Sequence, residues 1–278
     1  MNITAADVNK LRQLTGAGMM DCKKALTEAE GDFDKAVEIL RKAGQKVAAK
    51  RADNETSEGL VLVETSADGK SVKVVALACE TEPVSNVEDF RNLANGILKA
   101  AVTGDIKDTE ALLAAPLENG QSVQENITEL VGKIGEKIVI SAFAHVEGDQ
   151  VSSYIHSNKK AAGIVAFEGT GGADVAELGK DVGMQIVAMK PVGLDKDDVD
   201  PVIVEKEIEI GKEQARAEGK PEAMLEKIAL GKLNKFYKEQ TLLNQEFVKD
   251  PSLTIAQLLD KTVKGLKIAS FKRIAIGG

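Results

Sequence analysis

The sequence predicts an α+β protein: an N-terminal three-helix domain, then two related subdomains, each an antiparallel sheet with helices on one face, the second with an inserted antiparallel helical hairpin. Three observations predict it. Apolar residues recur at helical spacing up to about Ala43, a hairpin followed by a helix occurs twice between Gly59 and Lys190, and two long amphipathic helices flank the break "AEGKPE" between Pro201 and Gln240. The expected limits are residues 1–54 for the helical domain with its linker, 55–148 for the first subdomain, and 149–278 for the second, with the hairpin at about 201–240.

In chain order, the first helix begins at the cap Thr4, the second follows the break "TGAG", and the third starts after "EGD" with Phe33, Ala36, Val37 and Leu40 at i, i+3, i+4 and i+7. A unit of fewer than about 50 residues has little core to stabilise it, which suits an appended binding module. The basic run "RKAGQKVAAKR", Arg41 to Arg51, is expected to be a solvated linker. Next come the strands "GLVLVET" and "SVKVVALAC" around the turn "SADGK", the helices "VEDFRNLANGILKAAVTG" and "SVQENITELVGKIG", and the strand "KIVISAFAHVEG". The same order returns as "VSSYIHS", the turn "NKKAA", "GIVAFEG", a Gly-rich loop and the helix "DVAELGKDVGMQIVAMK". In the hairpin, Gly219 is the stop of one helix and Pro221 the start of the next. Val204, Ile208, Gly211 and Ala215 form the first stripe, Leu225, Ala229, Leu233 and Phe236 the second. The helix "TIAQLLDK" and the strand "LKIASFKRIAI" complete the second sheet.

Composition narrows the function. With 43% hydrophobic and 29% charged residues the chain reads as soluble, and no apolar run approaches the roughly 18 residues of a membrane span. The start "MNITAADVNKLRQLTG" lacks the regions of a signal peptide, so a cytoplasmic location is expected. A net charge of −8 argues against direct nucleic-acid binding. Cys22 and Cys79 read as reduced, buried thiols. His145 and His156 have no metal-ligand companion at i+3 or i+4, and "EGTGGAD" lacks the Lys-Ser/Thr of a phosphate loop and the spacing of a dinucleotide loop. No metal, cofactor or catalytic residue is therefore expected.

Two polar or exposed features remain. "CETEPVSN" ends an apolar strand in Thr81, Glu82, Pro83 and Val84, with a helix beginning near Asn86. It is either a plain connection, with Pro83 fixing the backbone and Asn86 capping the helix, or a rigid tip at the sheet edge. After "TGAG", Met19 lies near the face formed by Cys22, Ala25, Leu26 and Ala29, whereas Met20 points away, to a sticky contact or to a neighbouring domain.

At this point the residues carry a resemblance. "LRQLTGAGMMDCKKALTEAEGDFDKAVEILRKAGQ" resembles the N-terminal ubiquitin-associated-like domain of bacterial elongation factor Ts, and "ACETEPVSNVEDF", "SYIH" and "EGKPEAMLEKIALGKLNKFYKEQTLLNQEFVKDPSLTIAQLL" resemble later segments of that family, in order and over essentially the whole chain. The resemblance implies a protein without catalytic chemistry of its own, which binds GDP-bound and nucleotide-free elongation factor Tu, promotes GDP release and allows GTP to enter during translation elongation. By the same resemblance Thr81, Glu82, Pro83 and Val84 are the exchange tip, Arg12, Met19 and Met20 dock on the GTPase domain, and His156 faces the partner from the second subdomain. The hairpin is then a site of partner contact or of self-association.

One departure stands out. The family tip is Thr-Asp-Phe-Val, and its ring wedges between partner side chains; here Glu82 lengthens the acid and Pro83 removes the ring. Either the partner pocket is reshaped around a rigid Pro83-Val84, or exchange relies on disturbing the magnesium site and on contacts elsewhere. Two other functions stay open beside exchange: an adaptor that only tethers partners through the helical domain and hairpin, and an enzyme with Cys79 as a thiol nucleophile near Glu82.

Overall fold

Thr4 starts the first helix as its sequence requires. In the computed structural model, which describes residues 3–277, the Thr4 hydroxyl accepts from Asp7 N–H at 3.2 Å while the Asp7 carboxylate accepts from Thr4 N–H at 3.0 Å, and helix α1 runs Ala5–Thr15. Met1, Asn2 and Gly278, which fall within the expected domain limits, lie outside the described residues. Gly16, at φ 65°, ends α1, and α2 (Met19–Glu28) and α3 (Phe33–Lys50) follow. Val8, Leu11, Cys22, Ala25, Leu26 and Ala36 form the small core they share.

Strands β1 (Glu58–Thr65) and β2 (Ser71–Cys79) form the expected hairpin. A one-turn helix α4 (Glu82–Ser85) precedes α5 (Glu88–Thr103); α6 (Thr109–Ala114) and α7 (Val123–Ile134) lead to β3 (Ile138–Glu147), which pairs antiparallel with β2. The second half runs β4 (Gln150–Ile155), β5 (Ala161–Glu168), α8 (Ala176–Met189), α9 (Pro201–Ala217), α10 (Glu222–Gln240), a short ribbon of β6 (Glu246–Phe247) and β7 (Asp250–Thr254), α11 (Ile255–Thr262) and β8 (Lys267–Ala275). The two main sheets have the orders β1-β2-β3 and β4-β5-β8.

These sheets lie face to face. Along β2, Val75, Leu77 and Cys79 point to α5 and α7, whereas Val72, Val74, Ala76 and Ala78 point to the other sheet and meet Val151, Ala162, Ile164, Ala166 and Ile274. On the far side Val165 and Phe167 pack against Val182, Ile186 and Leu259. The order of layers is helix, sheet, sheet, helix. Burial on both faces is why β2 and β5 read as continuous apolar runs rather than alternating ones. Fully burying Leu77 or Phe167 contributes roughly 1.5–3 kcal/mol each.

The helical hairpin closes through small residues. A methyl on Gly211 would sit 3.1 Å from the Ala229 Cα, and Ala215, Leu225 and Leu233 complete the buried seam, with Val204, Ile208 and Phe236 only partly covered. Among the described residues no helix is long and apolar enough to cross a membrane.

The expected linker is a correction. Arg41 to Arg51 continues α3 to Lys50, because Ala, Lys, Gln and Val are all compatible with a helix and Gly44 has a specific use. It lies where α3 crosses α7: a methyl on Gly44 would be 3.0 Å from the Thr128 carbonyl oxygen, and one on Gly132 would be 2.9 Å from the Gly44 Cα. Val47 and Ala48 then pack on the core of the first subdomain. Lys42, Lys46 and Lys50 are exposed on the docked helix, whereas Arg51 just after it is half-buried.

Two glycines test this packing with opposite signs. Gly231 in α10 has open space where a methyl would go, so Gly231→Ala is expected to stabilise by about 0.5–1 kcal/mol through helix propensity. At Gly132, overpacking of about 1–3 kcal/mol is expected to outweigh that gain, so Gly132→Ala lowers stability. Urea unfolding of both variants reads the two signs, and stabilisation by Gly132→Ala would mean that α3 and α7 separate without cost.

Candidate partner-binding surface

Strand β2 ends at Cys79, and the chain turns at once into α4. Pro83 sits in the first turn, where a missing N–H costs nothing. Thr81, Glu82 and Pro83 are exposed, but Val84 is 7% exposed and packs in the core with Phe90 and Leu93. The expected four-residue tip is thus three residues standing on an inward-facing anchor. Asn86 is a second correction. Because α4 takes up Glu82–Ser85, Asn86 closes that turn, its amide donating to the Glu82 carbonyl at 3.2 Å, and Val87 occupies the cap position of α5.

Two carboxylates hold the base of this turn. Glu80 accepts from Arg51 Nη1 at 3.0 and 2.9 Å, from the Asn54 amide at 2.9 Å and from Lys137 N–H at 2.6 Å. Lys137 Nζ in turn donates to the carbonyls of Ala52 and Asn54 at 2.6 and 2.9 Å. The end of α3, the end of β2 and the start of β3 therefore meet at one acid. Beside it, Glu136 accepts from the Thr81 hydroxyl at 2.6 Å and from Thr81 N–H at 3.1 Å. None of Arg51, Glu80 and Glu136 stood out in the sequence, since these bonds span 29 and 55 positions; an acid placed directly at a strand end was the one local signal.

His156 lies at the same end of the sandwich as this turn. His156 is exposed in the β4–β5 turn, with Nδ1 3.3 Å from the Tyr154 hydroxyl. That turn is fastened to β1, with Val61 N–H on the Lys159 carbonyl at 2.7 Å and Lys160 Nζ on Glu58 at 2.8 Å, and Glu58 lies opposite Cys79. In the helical domain Arg12 is exposed, Met20 is 66% exposed and Leu14 65%. Met19, at the first position of α2 and a turn before Cys22, is 52% exposed, so its place beside the Cys22 face does not bury it. Gly16 abuts the Lys133 side chain, which pairs with Asp89 in the first turn of α5 at 2.6 Å.

Cys79 Sγ donates to the Thr81 carbonyl at 3.3 Å. Burial pushes its thiol up to about 12, with Glu136 and Glu58 adding to the shift. A thiol that stays protonated and fully buried packs rather than attacks.

Residues 80–278 match the protein family described as Elongation factor TS. The whole chain is similar to proteins named elongation factor Ts: 65% identical over 274 residues to that of Cytophaga hutchinsonii, covering 99% of both chains, and 52% identical over 277 residues to that of Amoebophilus asiaticus, covering 100% of both. The protein of that name from Christiangramia forsetii is 48% identical over 277 residues, covering 99% of each.

The Glu80 bonds set a dependence on pH. Burial raises this carboxyl, but donation from Lys137 N–H, Asn54 and Arg51 overcomes it and leaves the group below its usual 4.5. A carboxyl lowered on folding adds stability above its unfolded pKa, and that stability is lost as pH falls through the lower, folded value. The difference in thermal midpoint between the natural protein and Glu80→Gln is therefore expected to be widest near neutrality, to begin to shrink as pH falls to the usual carboxyl value of 4.5 and to close only below it, as folded Glu80 takes up its proton. A difference that stays flat between about pH 7 and pH 3 would remove the charge of Glu80 from this account.

Proposed function

The chain belongs to the elongation factor Ts family of translation elongation factors, and from that premise we propose that it is a guanine-nucleotide exchange factor that binds elongation factor Tu with GDP, promotes GDP release and lets GTP rebind. The observation that carries this is the exposed Thr81–Glu82–Pro83 turn, clamped at its base and set at the end of the sandwich that also presents His156. Exchange needs no nucleophile or metal on this chain. A factor that favours the nucleotide-free conformation of its partner weakens nucleotide binding, and by linkage nucleotide weakens binding of the factor. Free energy spent on the factor's contacts loosens GDP, and incoming GTP releases the factor.

The state of Val84 bears on how the tip works without a ring. Since Val84 is held inward, Pro83 alone presents apolar surface, and Glu82 brings a negative charge toward the magnesium and phosphate region of the partner. This supports exchange through charge at that region and through contacts elsewhere, with Arg12, Met19, Met20 and Leu14 docking the helical domain on the GTPase domain. Self-association through the hairpin is an accompanying proposal, for which exposed Val202, Met224 and Leu230 supply apolar surface.

Stopped-flow release of a fluorescent GDP from the cognate elongation factor Tu tests the proposal. At substoichiometric amounts the protein is expected to speed GDP release from the whole pool of elongation factor Tu, at saturation it is expected to weaken GDP binding by about 10- to 100-fold, and Pro83→Phe is expected to be no faster. Faster release by Pro83→Phe would mean that the missing ring limits this chain, and no acceleration by either protein would leave the tethering adaptor. Cys79→Ala is expected to keep full exchange while losing about 1–2 kcal/mol of stability.

A further inference from the structure

We propose that Glu136 is a positioning residue for exchange, acting through Thr81: it fixes the direction of the Thr81–Pro83 turn by holding both hydrogen-bond donors of Thr81. The inference rests on the exchange reading above and deepens it. Thr81 stands at the cap position of α4, yet its side chain makes no capping bond; its hydroxyl is turned away from the helix and donates to Glu136 at 2.6 Å. Its N–H goes to the other oxygen of the same carboxylate at 3.1 Å. A two-point hold on one residue fixes orientation as well as distance. Next in sequence, Lys137 N–H bonds Glu80 at 2.6 Å. Glu80 and Thr81 are thus each tied to the segment that joins α7 to β3, once through a main-chain donor of that segment and once through its carboxylate. Val84 fixes the far side of the turn from within the core. Without Glu136 the turn keeps its inner anchor, its Glu80 tie and the Cys79 thiol on the Thr81 carbonyl, and so its fold, but the Thr81 hydroxyl and N–H lose the hold that aims them at a contact that must be made at a defined angle.

The test uses the full chain and cognate elongation factor Tu, with GDP release followed as a function of factor concentration. Glu136→Ala is expected to lower the maximal release rate about tenfold, the effect of misaligning a contact that needs a defined angle, with the half-saturating concentration little changed and the thermal midpoint lowered only by the small loss of an exposed tie. Glu136→Gln is expected to restore most of that rate, since its oxygen accepts from Thr81 N–H and its amide donates to the Thr81 hydroxyl. Combining Thr81→Val with Glu136→Ala is expected to be no slower than the slower single variant. Maximal release at the natural rate by Glu136→Ala, or full multiplication of the two single effects, would overturn the positioning role while leaving exchange intact. Failure of the natural protein to speed release at all would instead remove the exchange reading and the positioning role with it.

Discussion

The Glu80 carboxylate draws together three stretches of chain that have no reason to meet in sequence: Arg51 and Asn54 after α3, the last turn out of β2, and Lys137 at the entry to β3. Its side chain is 16% exposed, and a carboxylate so placed is costly unless its lone pairs are filled. Here every donor is supplied, including a main-chain N–H that no side-chain substitution removes. The position of the helical domain, the ends of two strands and the base of the exposed turn all follow from that arrangement.

What lets such a small cluster hold its geometry is the platform beneath it. Strand β2 is covered by α5 and α7 on one face and by the second sheet on the other, so its end has little freedom to tilt. Alanines at 76, 78, 162 and 166 keep the two sheets close, and the turn after β4 is stitched to β1 by both main chain and side chain. Rigidity at the surface derives from packing two layers down. A surface already ordered by folding loses little further entropy when a partner docks on it.

Much of this was legible locally. The cap at Thr4, the β1–β2 turn, the two hairpin-then-helix orders and the break at Gly219 each depend on neighbours within a few positions. What was hidden depends on distant partners. The continuation of α3 past Ala43 is decided by Gly132 on another helix, the inward turn of Val84 by Phe90 and Leu93, and the tie at Thr81 by an acid 55 positions on. Short elements failed for a different reason: α4 and α6, of 4 and 6 residues, are too brief for periodicity to register. The expected contact residues Arg12, Met20 and His156 are exposed, but exposure alone carries no direction.

The unbroken α3 has a geometric consequence. A helix of 18 residues is about 27 Å long, with each residue adding about 1.5 Å and a rotation of about 100°. From Phe33 in the helical domain to Lys50, one position before Arg51, α3 acts as a ruler with a phase. Adding or removing one residue within it would swing the whole three-helix unit around its axis, so that Gly44 no longer faced Gly132 or Arg51 no longer reached Glu80. A loose tether tolerates changes of length at will. In this protein the length of α3 is a dimension of the molecule, as fixed as the spacing of its strands.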